Sequence, residues 1–359
     1  MKRNLQLDFL RFCGVFLVMM NHLNIWGHSM LDNCLAKISD GGWIGVDLFF
    51  VLSGYLVSGL IFNEYKLHQS FSGTNFLIRR GFKIYPTYYF FLAFTFLFFN
   101  YLTKIPYSFA GLWHESIFIS NFASYNNIHL WSICVEEHFY FLLTIVFFVL
   151  IKYKKVQLRS FVLIYLFLLI FGLICRTYNY LHYTNFNFDR DCTKSYFRFD
   201  SLFFGVLLAY IAHYKSHVFD DLLGSKFNTL FIIICLSFLL SNFVFTRYGS
   251  RWVQVINLAV NPICFGYLMI NIIRYNNALF LKIITPLAYI GKYSYSIYLF
   301  HRFFNYLAMH IAYPKSLLYY TLYFSLSIIG GILISKSIEY PLISFREKYF
   351  PSRSVKPIR

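Results

Sequence analysis

Arg11 and His22 close a stretch, RFCGVFLVMMNH, that is otherwise apolar apart from Asn21. A helix advances about 100° and rises about 1.5 Å per residue, so His22 returns to within roughly 20° of Arg11, about 16 Å further along one face. An imidazole takes a proton from a hydroxyl near neutral pH, and a guanidinium grips a phosphate through paired hydrogen bonds. Five further apolar segments carry ionisable residues. GGWIGVDLFFVLSGY holds Asp47, and RRGFKIYP holds Arg79, Arg80 and Lys83. HLWSICVEEHFYFLL holds Glu136 and Glu137, YFRFDSLFFG holds Arg198 and Asp200, and SYSIYLFHR holds His301. A base beside carboxylates suits proton transfer, and clustered arginines at a helix start suit a polyanion.

The elements that must position these residues are membrane helices. The 359 residues are 58% hydrophobic and only 13% charged, whereas soluble domains carry about 25% charged residues. Apolar runs long enough to cross a bilayer recur at 7–26, 43–63, 83–103, 130–151, 160–181, 197–214, 226–246, 252–273, 286–309 and 316–337. Their lack of strict alternation selects helices over a barrel. The fold expected is therefore an all-α polytopic membrane protein of about ten transmembrane helices. Placing Met1 in the cytoplasm puts twenty Lys and Arg in inner segments and seven in outer ones, which sets both termini inside. That bias accounts for most of the net charge of +17 and argues against nucleic-acid binding. Residues 1–340 read as one transmembrane domain and 341–359 as a cytoplasmic tail, PSRSVKPIR being its disordered end. The first apolar run is span-length and holds charge, so it is not a cleavable signal. Segment 104–129, with SFAGLWHESIFISNF, is expected to lie as an interfacial or re-entrant helix. Cys34 and Cys192 fall in outer loops, where a disulfide is open; no CxxC or Cys/His spacing indicates a metal.

Depth organises the polar residues. His22, Asp47, Glu136, Arg198 and His301 fall in the outer half of the bilayer, and Arg11, Arg79, Arg80 and Lys83 toward the inner mouth. Charge within a span is costly and faces protein or a cavity, which marks it for function. A long cosubstrate with phosphates at one end and a reactive group at the other fits both layers, and acyl-coenzyme A has that shape.

These motifs together resemble the acyltransferase-3 family of integral membrane acyltransferases. The resemblance runs from LDFLRF to SIEYP, through the arginine–histidine spacing, GGWIGVDLFFVLSGYLV, RRGFKIYP, LWSICVEEHFY and SYSIYLFH in the family's order. It implies transfer of an acyl group, commonly acetyl from acetyl-CoA, to a carbohydrate hydroxyl at the cell envelope. By resemblance His22 is the catalytic histidine, Arg11 its motif partner and Glu136 the carboxylate of a WSxxxE motif. Where family patterns tend to carry Gln and Leu, this chain has His138 and Ile133. Some members carry a C-terminal extracytoplasmic esterase-like domain; this chain is expected to be the stand-alone type, in a bacterial inner membrane.

The mechanism expected uses His22 as general base on the sugar hydroxyl, with Asp47 or Glu136 orienting it. An acetyl-histidine intermediate is the competing route. Arg11, Arg79, Arg80 and Lys83 would hold the donor's phosphates, and Arg198 or His301 would bind the acceptor or the oxyanion. The acceptor is a carbohydrate or lipid-linked glycan such as O-antigen, capsule or exopolysaccharide. Each residue also has a plainer role: a helix-bonded histidine, positive-inside charge, or salt-bridge partners, the last suiting Glu137. A transporter or flippase of an anionic solute or lipid-linked sugar, and a non-catalytic assembly subunit, are the alternatives. No internal repeat supports the transporter.

Overall fold

The computed structural model describes residues 4–23, 30–103, 105–245, 251–312 and 316–354, with the side chains of 30–35 and 251–254 outside the description. The described residues are helical and form no strands. In chain order the helices are α1 (Leu5–Asn21), α2 (Met30–Gly41), α3 (Ile44–His68), α4 (Gly73–Leu102), α5 (Phe109–Ser116), α6 (Trp131–Lys152), α7 (Leu158–His182) and α8 (Phe188–Asp191). There follow α9 (Phe199–Tyr214), α10 (His217–Gly224), α11 (Asn228–Val244), α12 (Arg251–Arg274), α13 (Ala278–Gly291), α14 (Ser294–Ile311), α15 (Leu317–Ile334) and α16 (Tyr340–Tyr349).

Polar caps start several of them. Asn4 accepts from the Leu7 amide at the head of α1, Ser72 from Asn75 on α4, Ser108 from Gly111 on α5, and Asn277 from Phe280 on α13. Among the described residues, six helical runs are long and apolar enough to cross a membrane: Ala36–His68, Gly73–Leu102, Ile128–Lys152, Leu158–His182, Val255–Arg274 and Leu317–Tyr349. A seventh crossing results if α9 and α10, bent by 102°, count as one.

Several expected boundaries move. The run expected over 286–309 is broken at Lys292–Tyr293 into α13 and α14. Pro286 weakens α13 internally. Gly291 ends it against α1, so close that an added Cβ would lie 1.9 Å from the Asp8 carbonyl oxygen. The run expected to begin at 83 starts a full ten residues earlier, because Ser72 caps α4. Within 104–129 the helix formed is α5, eight residues long, which at about 1.5 Å per residue is too short to cross. The tail expected from 341 opens instead as α16, and Arg353 beyond it reaches Glu64 at 3.3 Å. Residues 355–359 lie outside the described residues. So does the Cys34 side chain of the open disulfide, while Cys192 is a buried thiol.

The chain divides into two compact units. Unit 1 comprises 1–59, 180–182 and 201–332. Here α1 packs on α2, α12, α13 and α14, around a core that includes Leu10, Leu48, Val51, Leu208 and Met269. Close helix approach depends on Gly54, where a Cβ would meet the Leu202 carbonyl oxygen at 1.8 Å. Unit 2 comprises 60–179, 183–200 and 333–359. In it α4 packs on α5, α6 and α16, and Phe62, Phe147 and Phe161, all fully buried, meet with ring centroids 5.2–5.8 Å apart.

Candidate active site

In unit 1 the α1 helix stops at Asn21, and His22 is its C-cap rather than a residue four places inside a longer span. The position has a chemical consequence. Carbonyl groups at a helix C-terminus favour a cation there by about 0.3–1 kcal/mol, so they favour the imidazolium that forms when His22 takes a proton. The ring is half-buried, and its Nδ1 lies 3.0 Å from the Val18 carbonyl oxygen and 3.0 Å from Nε2 of His301 on α14. His301 is completely buried, and its Nδ1 meets the Tyr298 carbonyl oxygen.

These contacts assign the protons. A carbonyl oxygen only accepts, so His301 carries its hydrogen on Nδ1. With both rings neutral, His301 Nε2 is then an acceptor, and His22 Nδ1 carries the hydrogen that points at it. His22 Nε2 is left with its lone pair, the form a general base needs.

The backbone of His22 is anchored as firmly as its ring. Asn305 Nδ2 donates to the His22 carbonyl oxygen at 2.6 Å, and Tyr319 donates to Asn305 Oδ1 at 2.7 Å. Tyr323 donates to the Met19 carbonyl oxygen at 2.9 Å. Sequence reasoning missed Asn305, Tyr319 and Tyr323. Their one signal is periodic: Asn305 lies one helical turn after His301, and Tyr323 one turn after Tyr319.

The other residues singled out in the sequence separate into distinct settings. Asp47, fully buried in the first turn of α3, accepts from Asn261 Nδ2 at 3.0 Å. Asn261 belongs to a cluster with Asn242 and Asn257, so a chain of amides from α11 and α12 ends on this carboxylate. Arg11 is paired with Asp8 at 2.6 Å on its own helix. Besides the Val18 carbonyl, His301 meets the His22 ring, a contact the sequence did not suggest.

In unit 2, Arg79, Arg80 and Lys83 do not stand at a helix start. They lie two to three turns inside the 30-residue α4, so its N-terminal amides are out of their reach. Arg79 makes a fork with Glu347 of α16, at 2.8 and 3.1 Å. Lys83 is paired with Glu339. Arg80 spreads its guanidinium over Phe76 and Tyr140, 5.7 and 6.0 Å from the ring centroids. Tyr140 in turn donates to Glu136 at 2.7 Å. Arg80 and Glu136, expected in opposite halves of the bilayer, flank a single tyrosine, with Arg80 about two turns inside α4 rather than at its start. Glu137 accepts from Tyr85 at 3.0 Å. Arg198 is buried over Trp131, at 5.8 Å from its ring centroid.

Comparisons with known proteins identify the family. The family profile described as an acyltransferase domain matches residues 4–336. O-acetyltransferase OatA of Staphylococcus aureus is 29% identical over 316 residues, covering 82% of this chain and 49% of that protein. A putative O-acetyltransferase of S. aureus strain MRSA252 is 25% identical, covering 96% of this chain and 59% of its own length. The chain thus spans about half the length of the curated relatives it matches. No solved structure matches. With the profile covering nearly the whole chain and the motif residues in place along it, the protein belongs to the acyltransferase-3 family.

Proposed function

We propose that this chain is a multi-pass O-acyltransferase of a bacterial inner membrane, with ten crossings and both termini in the cytoplasm. It moves an acetyl group from acetyl-CoA on the cytoplasmic side to a hydroxyl of an envelope carbohydrate, such as O-antigen, capsule or exopolysaccharide. The observation that carries the reading is the His22–His301 contact at 3.0 Å, which in the neutral ring puts the His22 hydrogen on Nδ1 and gives Nε2 the role of base.

In this mechanism His22 Nε2 takes the proton of the acceptor hydroxyl as that oxygen attacks the thioester carbonyl carbon; the O–C bond forms, the C–S bond breaks, and the proton passes from His22 to the departing thiolate. His301 holds the ring in the productive tautomer, and the α1 C-terminus favours the transient positive charge. Acetyl-CoA supplies the activated acyl group when bound. Arg80, which is in no salt bridge among the described residues, is the cation readiest for its phosphates. Arg11, Arg79 and Lys83 join it only by exchanging their present carboxylate partners for phosphate. Asp47 and Glu136 act as supporting carboxylates, Asp47 accepting from Asn261 and Glu136 from Tyr140. Arg198 is assigned to the acceptor.

The test is mass spectrometry of envelope glycans from cells with the gene, without it, and with His22→Ala. Loss of acetyl groups in both the deletion and the mutant, with the mutant protein still in the membrane, supports the reading. Full acetylation in the mutant makes His22 structural and ends this mechanism. Unchanged acetylation in the deletion, with reduced glycan export, transfers the case to a transporter.

A further inference from the structure

Unit 2 holds a histidine of α6 against a buried serine hydroxyl. His138, on α6, places Nδ1 2.7 Å from Oγ of Ser195, the first residue of a 3-10 turn that precedes α9. The neighbours decide which way these hydrogen bonds run. Asn121 Nδ2 faces the Thr193 carbonyl oxygen at 3.2 Å, which only accepts, so this is the amide's NH2 group. The same NH2 donates to Ser195 Oγ at 2.9 Å. A hydroxyl has one proton to give, and its acceptor among the described residues is His138 Nδ1. Ser195 thus points its proton at an imidazole lone pair while an amide donates to its oxygen. The contact of hydroxyl proton with imidazole lone pair is the nucleophile–base pairing of an activated serine, and the amide holds the Ser195 rotamer.

Three further features converge on the pair. His138 is bonded to the backbone of Phe118, which sits at φ 58°. A residue with a Cβ pays about 1–3 kcal/mol for that left-handed conformation, and such strain collects where a functional group has to be oriented. Asn121 Oδ1 is buried without a hydrogen-bond partner among the described residues, so an unsatisfied acceptor lies beside the pair. Phe122, 49% exposed, lies with its ring centroid 6.0 Å from that of His138 and 6.2 Å from that of Tyr196. Partly exposed aromatic faces of this kind offer an apolar platform for the C–H face of a sugar ring.

We infer that Ser195 and His138 form a second acyl-transfer centre, in which Ser195 carries an acyl group between an acyl thioester and a carbohydrate hydroxyl. The inference builds on the acyl-transfer reading above. Ser195 Oγ attacks the thioester carbonyl carbon; the Oγ–C bond forms and the C–S bond breaks. His138 Nδ1 takes the hydroxyl proton and passes it to the departing thiolate. A carbohydrate hydroxyl then attacks the acyl-serine, its proton moves to His138, and the C–Oγ bond breaks. The proton returns to Ser195 as the acylated sugar leaves. The seryl ester conserves the acyl group without further energy input.

The experiment treats membranes holding the full chain with a fluorophosphonate probe, which reports reactive serines without needing acetyl-CoA. A second sample is pulsed with acetyl-CoA and its Ser195 peptide is weighed for one added acetyl group. Ser195 should be labelled in the wild type and in His22→Ala, and not in Ser195→Ala. His138→Gln still accepts the serine's hydrogen bond but takes no proton, so labelling should fall about tenfold or more. Equal labelling in His138→Gln and the wild type overturns the inference. So does a wild type that acetylates glycan while Ser195 reacts with neither reagent. If the wild type acetylates no glycan yet the probe marks Ser195 in a His138-dependent way, the reactive serine stands and the function proposed above falls.

Discussion

The contact that does most for the proposed chemistry is testable at His301. Replacing it with phenylalanine keeps a buried ring of similar size and removes the acceptor facing His22 Nδ1, 3.0 Å away. In the ground state that hydrogen bond contributes about 0.5–1.5 kcal/mol. When His22 takes a proton the donor becomes charged, and the same bond strengthens to about 1.5–3 kcal/mol. The difference, about 1–1.5 kcal/mol, belongs to the transition state, so the rate should fall on the order of 5-fold to 10-fold, with little change in KM. His301→Gln offers an amide oxygen to the same Nδ1–H and should lose less than the phenylalanine variant. The assay is thiol release from acetyl-CoA by membranes that contain the cells' own glycan, with protein level measured in parallel. Phenylalanine and wild type turning over equally would refute the orienting role. Phenylalanine and glutamine variants failing equally, with less protein in the membrane, would make His301 a packing residue.

Two structural predictions accompany it. Gly54→Ala places a Cβ 1.8 Å from the Leu202 carbonyl oxygen, a clash with backbone that no side-chain movement relieves. It should destabilise by about 1–3 kcal/mol or more, read as a lower melting temperature in detergent, whereas Gly224→Ala, which meets nothing within 4 Å, should not. Glu115 is fully buried, and burial raises its carboxyl above the ordinary range, although the Asn126 and Asn127 amides donate to it. A raised carboxyl favours the protonated native state, so stability should be greatest below the unfolded carboxyl's range and fall as pH rises through the raised value. Glu115→Gln keeps the acceptor oxygen and removes the charge. It should melt at or above the wild type at neutral pH, with the gap closing as pH falls toward the ordinary carboxylate range. A variant that melts well below the wild type at pH 7 would show that the charge itself is needed.

Much of the site was legible because chemistry in a membrane is conspicuous. An ionisable residue in an apolar run has few tolerable explanations, so His22, Asp47, Glu136, Arg198 and His301 stood out by type and depth. The arginine–histidine spacing and the motifs around it placed the chain in its family, and apolar runs foretold helices throughout. Boundaries were less legible, since caps and breaks act over a few residues. Ser72 moved the start of α4 upstream, and Gly291 ended α13 inside an expected span.

The amino-acid sequence alone determined the class of molecule, the helices and the residues able to carry charge into them, because each of those follows from local composition and a short repeat. Partnership was decided only by the tertiary structure. That His22 meets His301, that Asn305 and Tyr319 hold its backbone, and that Arg79 is met by Glu347 from the far end of the chain are contacts across 268 to 283 residues for the long pairs. No local pattern encodes such distances. They arise when apolar faces pack and leave each buried polar group to find whichever partner the neighbouring helix presents.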